Sequence, residues 1–159
     1  MKALVTGGTG GIGKDRALSL LKRGYEVRVV SRKEGEFSDR KKQFPKGKLT
    51  FASYDLSKEE ECYRLLKDTE NIDFDVFINN AGFGDIGYRE KTDLNKEVNR
   101  LKLNDIATLI LVKSFLLRFK KKNKGHVLRT ASAAAFGVAP YRNVYYASKA
   151  FVYSLAHGY

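Results

Sequence analysis

Tyr145 and Lys149 stand four positions apart, the spacing that sets two side chains one turn apart on the same face of a helix. An ammonium placed there stabilises a phenolate, so the tyrosine can give a proton to a carbonyl oxygen or take one from a hydroxyl. Ser132 lies thirteen residues before Tyr145 and has the hydroxyl needed to hold the reacting oxygen. Asn104 follows Leu101 by three residues, which sets an amide on the apolar stripe of a helix, where it must find hydrogen-bond partners. Each residue has a plainer reading. Ser132 alone is an ordinary turn or helix cap, Asn104 a satisfied core amide, and Tyr146, beside Tyr145, a packing or lining aromatic.

A second constellation opens the chain. Thr6-Gly7-Gly8-Thr9-Gly10-Gly11-Ile12-Gly13 carries five glycines in the seven positions from Gly7 to Gly13, between an apolar run at Ala3 to Val5 and a helix-spaced set, Ala17, Leu18, Leu20 and Leu21. A glycine-rich turn between strand and helix brings backbone close to a pyrophosphate, whose charge the helix amino terminus stabilises. Three registers fit: Gly7, Gly11 and Gly13; Gly7, Gly10 and Gly13; or Gly8, Gly10 and Gly13. The plainer reading is a tight turn with no ligand. A second apolar run, Val27 to Val30, ends at Ser31-Arg32-Lys33. Enzymes that prefer NAD commonly place a carboxylate there for the ribose hydroxyls, whereas a serine followed by two cations suits the 2′-phosphate of NADP. An exposed basic turn would look the same.

These residues need elements to carry them. Leu49 to Tyr54, Asp75 to Ile78 and His126 to Thr130 read as three more strands, with helical stretches between. Glu34 to Lys48 is polar and basic and predicts only a short or poorly formed helix. Ser57 with Glu60 three residues on predicts a capping-box start for the next helix. Leu94, Val98, Leu101, Leu109, Val112 and Leu116 predict one long helix to about Phe119, and a last helix is expected near Val144. Strands alternating with helices give an α/β fold with a parallel sheet in the order 3-2-1-4-5 and helices on both faces. The glycine turn, Asn79-Asn80-Ala81-Gly82 and Ser132 then share the carboxyl edge of the sheet.

Length and composition set limits. At 159 residues the chain reads as one domain, residues 1–159, large enough for a real core. Its longest apolar stretches, such as Ala107 to Val112, are too short to cross a bilayer. The first strand begins at Lys2, which leaves no room for a signal peptide, and the single cysteine, Cys62, cannot form an internal disulfide. Both fit a cytoplasmic protein. The formal charge of +12 could draw nucleic acid, membrane phosphates or an anionic ligand. Much of it lies in Lys120-Lys121-Lys122-Asn123-Lys124, where a helix ends and cations complement its dipole. That run lacks interleaved aromatics, so it reads as solvated surface rather than a nucleic-acid site.

With the glycine turn, Asn79-Asn80-Ala81-Gly82, Asn104, Ser132 and Tyr145 with Lys149 in this order, the chain resembles a short-chain dehydrogenase/reductase over essentially its whole length. The resemblance implies a three-layer Rossmann fold and the glycine register Gly7, Gly11 and Gly13. It implies a cofactor held by Thr6, Gly7, Gly8, Thr9, Gly10, Gly11, Ile12 and Gly13, with Ser31, Arg32 and Lys33 at the ribose. Asp55 would contact adenine with Leu56 beside it, and Asn80, Ala81 and Gly82 would stabilise the sheet next to the cofactor. Tyr145 and Lys149 would reach the nicotinamide ribose. Asn104, Ser132, Tyr145 and Lys149 would form a catalytic tetrad, with Asn104 supporting a water and no metal involved. The loop from Phe83-Gly84 would lie near substrate. The expected function is NADP-dependent interconversion of a small carbonyl compound and its alcohol, in a homodimer packed through the long helix. The alternative is a non-catalytic nucleotide-binding or partner-binding module on the same fold. Arg129 and Arg16 depart from the family pattern, which has a small polar and an apolar residue there. Family members are also longer, with two further strands and a substrate-covering segment after the tyrosine helix.

Overall fold

The computed structural model describes residues 1–35, 37–85, 87–88 and 91–158. Five strands, β1 (Lys2–Thr6), β2 (Glu26–Ser31), β3 (Leu49–Ser53), β4 (Val76–Asn79) and β5 (His126–Arg129), form one sheet in the order β3-β2-β1-β4-β5. Every pairing is parallel. The helices are α1 (Gly11–Lys22), α2 (Phe37–Lys41), α3 (Glu59–Asp68), α4 (Leu94–Leu101), α5 (Ala107–Lys121) and α6 (Asn143–His157). The expected order and element sequence are therefore both present.

Consecutive strand side chains point to opposite faces, and here both faces are buried, as a parallel sheet requires. Leu4, Val30 and Phe77 join a core with Leu65 of α3 and Leu111 and Phe115 of α5. Ala3, Val5, Val27, Val29 and Ile78 pack on the other side against Ala17 and Leu21 of α1 and Phe37 of α2. Phe115 stacks on Phe77 with ring centres 4.2 Å apart, which fixes α5 against the middle of the sheet. The polar segment before β3 does hold only the five-residue α2.

Two local expectations change. The capping box at Ser57 does not form: the Ser57 hydroxyl donates to Asp55 Oδ1 at 2.7 Å, and α3 begins at Glu59 with no side-chain cap. Asp55 Oδ1 also accepts the Ser57 backbone N–H at 3.2 Å, the donor that the glutamate of a capping box would take. The long helix is likewise not one regular α-helix. A π-helical turn, Lys102–Ile106, separates α4 from α5, so Asn104 belongs to that turn rather than to an α-helical stripe. Such turns are rare, and they recur at functional sites.

Two lysines of the basic run, which leads into β5, are tied to acids just before the neighbouring strand β4. Lys122 pairs with Asp73 at 2.5 Å and Lys124 with Asp75 at 2.7 Å. The Lys124 ammonium, with the Lys2 backbone N–H, holds the Asp75 carboxyl below the usual carboxylate range. No described helix is long and apolar enough to cross a membrane.

Candidate active site

The sheet reverses its winding between β1 and β4, and there the carboxyl ends of the strands leave a crevice. Thr6 joins the two strands: its Oγ1 accepts the backbone N–H groups of Asn80 at 3.0 Å and Ala81 at 3.1 Å. Asn79 turns the other way, and its amide donates to Thr108 Oγ1 of α5 at 2.8 Å. A cleft of about 130 Å³ opens above, lined by Gly7, Ser31, Arg32, Asp55, Ala81 and Gly82 among others. These six were all expected beside a cofactor.

The backbone settles the glycine register. Gly7 and Gly11 have φ of +63° and +48°, in the left-handed region where a side chain is strained. A Cβ at Gly13 would stand 2.3 Å from Gly7 O, whereas one at Gly10 would meet nothing within 4 Å. Gly7, Gly11 and Gly13 are thus the required glycines. Gly8 matters for packing, since its Cβ would press on Val29 at 2.9 Å. The first-turn N–H groups of α1 have no acceptor within the helix. Gly10 brings no capping side chain, and the first turn holds no acid. By contrast α3 has three glutamates in its first turn and α4 is capped by Asp93. The α1 terminus, with a tight backbone cradle before it, fits a phosphate-bearing group.

Around this cradle, Thr9 donates to Ser31 Oγ at 3.1 Å, tying the glycine loop to the end of β2. Arg32 lines the cleft, whereas Lys33 is exposed and outside it. Asp55 faces the cleft while accepting from Ser57, and Leu56 is buried next to it. Tyr54 also lines the cleft, but its hydroxyl donates to Asp68 at 2.6 Å. Burial, reinforced by that carboxylate, pushes this phenol up to about 12, which removes it as a proton donor near neutral pH.

Three of the proton-transfer candidates, Asn104, Tyr145 and Lys149, come together along the chain leaving β4. Lys149, buried on α6, gives a hydrogen bond to Thr130 O at 3.1 Å, and its Nζ lies 5.8 Å from the centre of the Tyr145 ring. Burial lowers the Lys149 pKa, and Asp105 opposes that shift. A Cβ on Gly82 would lie 2.9 Å from Asn104 Oδ1 and 3.8 Å from Lys149 Nζ, and one on Gly84 would lie 3.1 Å from the Tyr145 ring. Glycine at both positions lets the chain leaving β4 run across these side chains. Asn104 is fully engaged: Oδ1 accepts from Phe83 N, while Nδ2 donates to Phe83 O and to Ser148 Oγ, each at 3.1 Å. It therefore joins the loop after β4 to α6. Ser132 caps a 3-10 turn, Ala133–Phe136, by accepting from Ala134 N at 3.2 Å, and among the described residues its own O–H has no acceptor. That turn packs on α6, with Phe136 edge-on to Tyr153 at 4.5 Å.

Several contributors were not singled out as site residues by sequence reasoning. Thr130 receives Lys149 through its carbonyl, receives Arg16 Nη1 at 2.5 Å through its hydroxyl, and donates to Asn80 Oδ1 at 3.1 Å. Asn80 in turn donates to Gly7 O at 3.2 Å. One hydrogen-bonded chain thus runs from the first glycine to Lys149, and Arg16, the departure on α1, is part of it. The second departure, Arg129, gives hydrogen bonds of 2.8 Å to Leu155 O and of 2.8 Å to Ala156 O, closing the carboxyl end of α6. The signal for both was a charged residue where the pattern calls for a small or apolar one. Asp105, beside Asn104 in an aliphatic stretch, carried the same signal.

The sequence matches the short chain dehydrogenase family over residues 1–159, and the chain belongs to that family of oxidoreductases. It is 34% identical over 160 residues to an uncharacterized oxidoreductase, YvrD, of Bacillus subtilis (strain 168), covering 98% of this chain and 60% of that protein. It is 31% identical over 169 residues to the very-long-chain 3-oxoacyl-CoA reductase of Anas platyrhynchos, with 98% and 53% covered. The solved bulky-bulky ketone specific alcohol dehydrogenase from Comamonas testosteroni superposes with a TM-score of 0.91 at 26% identity, covering 99% of this chain and 65% of that one. The chain spans 53% to 60% of the length of these two sequence relatives.

Proposed function

We propose that this chain carries the cofactor-binding and proton-transfer machinery of an NADP-dependent oxidoreductase that interconverts a carbonyl compound and an alcohol. The observation that carries the reading is continuity. The cleft lined by Gly7, Ser31, Arg32, Asp55 and Gly82 leads through Gly82 to Asn104 and Lys149 and through Gly84 to Tyr145. Gly7, Gly11 and Gly13 with the bare start of α1 would hold the pyrophosphate, Arg32 and Ser31 a 2′-phosphorylated ribose, and Asp55 the adenine side. Arg32 favours NADP over NAD because a guanidinium can pair with the extra phosphate in two-point fashion. When bound, the dinucleotide supplies the hydride. In the reducing direction Ser132 donates to the carbonyl oxygen, and Tyr145 delivers its hydroxyl proton to that oxygen. Lys149 then balances the phenolate that remains. In the oxidising direction the phenolate takes the alcohol proton. Asn104 sets the distance between the loop after β4 and α6, and so the position of Tyr145.

The relatives named as 3-oxoacyl-CoA and ketone enzymes support a carbonyl substrate. Leu94, Val98, Leu101 and Leu109 on the long helix are all exposed, which supports a homodimer through that helix. A single buried Cys62 suits a reducing compartment such as the cytoplasm. NADPH oxidation measured against a panel of ketones, for the chain and for Tyr145→Phe, tests the reading. Turnover should fall by about 10²- to 10⁴-fold in the variant with NADPH affinity retained. Equal turnover in the two proteins removes Tyr145 from the acid/base role. Cofactor binding with no turnover in either protein favours the non-catalytic module.

A further inference from the structure

Asp105 is the one acid in the π-helical turn, and it is buried to 8% exposure. Its Oδ1 is enclosed and has no hydrogen-bond donor among the described residues. An acid in that position is costly unless something opposite in charge faces it. The turn packs on α6, where Asn104 bonds Ser148 and the next residue is the buried Lys149. The described ionisable groups on the elements around the turn are Arg100 on α4, Lys102 in the turn, Lys113 on α5, and Tyr145 and Lys149 on α6, and of these Lys149 is the charge that opposes the burial of the Asp105 carboxyl. Lys149 in turn has one hydrogen bond among the described residues, to the neutral Thr130 carbonyl, and Asp105 is the one charge that acts on it.

We propose that Asp105 is a positioning residue acting through Lys149, its buried and unpartnered carboxylate being the counter-charge to the buried Lys149 ammonium beside the Tyr145 ring. This rests on the proposed proton-transfer role of Tyr145 and Lys149 for its catalytic meaning, and on burial and placement alone for the charge coupling. Burial raises the Asp105 carboxyl to about 7 while Lys149 opposes the rise. Burial lowers Lys149 while Asp105 opposes the fall. Each group therefore favours the charged form of the other against burial. As pH falls through neutrality, Asp105 takes a proton from solvent and Lys149 loses its counter-charge.

The test follows the Lys149 side chain itself, in the full chain labelled with 13C-lysine, with Lys149→Met assigning the resonance. Replacing Asp105→Asn keeps the shape and removes the charge. It should lower the ammonium-to-amine ratio of Lys149 about tenfold at a given pH near its midpoint, and Asp105→Glu should restore most of that ratio. A Lys149 titration unchanged in Asp105→Asn overturns the proposal, because a merely structural aspartate would leave it so. If Asp105→Asn does not fold, the wild-type carboxyl and lysine resonances decide: a shared inflection near neutral pH supports coupling, and independent titrations overturn it. NADPH turnover is read separately. A shifted Lys149 with no turnover in any variant leaves the coupling standing and removes the proposed reaction.

Discussion

Gly13→Ala isolates one contact on which the glycine loop depends. Its Cβ would lie 2.3 Å from Gly7 O and 2.4 Å from Asn80 Nδ2, and those two atoms are themselves hydrogen-bonded at 3.2 Å. The added methyl must enter between a donor and its acceptor, so either that bond opens or the start of α1 moves away from β4. Overpacking of this kind costs about 1–3 kcal/mol, and the lost hydrogen bond about 1 kcal/mol more. Alanine returns about 1 kcal/mol through its better helix propensity. The net loss is then about 1–3 kcal/mol, or a fall in Tm of about 2–12 °C for a chain of this size. Thermal unfolding followed by circular dichroism, with Gly10→Ala as the control, measures it. Gly10 has open space around its Cβ and an extended φ of −151°, so alanine there should stay within about 1 kcal/mol of wild type. Equal Tm values for the two variants would refute the close approach between α1, Gly7 and Asn80.

Asp105→Asn should change how stability depends on pH. An acid whose folded pKa is raised from about 3.9 to about 7 penalises the folded state only when ionised. The penalty is absent below about pH 4, grows between about 4 and 7, and is complete above. The variant should gain about 2–3 kcal/mol over wild type in urea unfolding at pH 8, the about 4 kcal/mol that ionising the buried acid costs less about 1.4 kcal/mol for Lys149 left without its counter-charge, and almost nothing at pH 4. A constant difference at both values contradicts the burial argument. Arg129→Leu removes two charge-assisted hydrogen bonds from the end of α6; about 1–3 kcal/mol of local stability should be lost. Faster hydrogen exchange in the last turn of α6, with α1 unchanged, is the expected pattern. Gly84→Ala presses on the Tyr145 ring at 3.1 Å, and turnover should fall more than NADPH affinity; the reverse order would separate that loop from the tyrosine.

The fold was legible because its signals are local and repeated. Apolar runs of strand length alternate with helical spacing, and each run fills both faces of the sheet, as Leu4 and Val5 do on opposite sides. The glycine register was ambiguous in the letters, because five glycines satisfy three patterns, and only backbone angles and close approaches distinguish Gly10 from Gly11. The π-helical turn at Asn104 left no trace in an aliphatic pattern that a straight helix satisfies equally well. Ser57 was misassigned because an i, i+3 pattern says nothing of the competing Asp55. The roles of Arg16 and Arg129 depend on partners 114 and 26 residues away in the sequence, which no local pattern encodes. Spacing alone brought Tyr145 and Lys149 to one face, but the neighbours of Lys149, Thr130 and Asp105, come from other elements of the fold.

The central claim is that the crevice from Gly7 to Lys149 holds a 2′-phosphorylated dinucleotide. Titration of the chain with NADPH and with NADH, followed by nicotinamide fluorescence at fixed ionic strength, tests it directly. Saturable binding is expected, at least about tenfold tighter for NADPH, as one charge-assisted contact of about 1.4 kcal/mol predicts, with the preference lost in Arg32→Gln. No saturable binding of either dinucleotide would contradict the claim, and equal affinities would contradict the role given to Arg32.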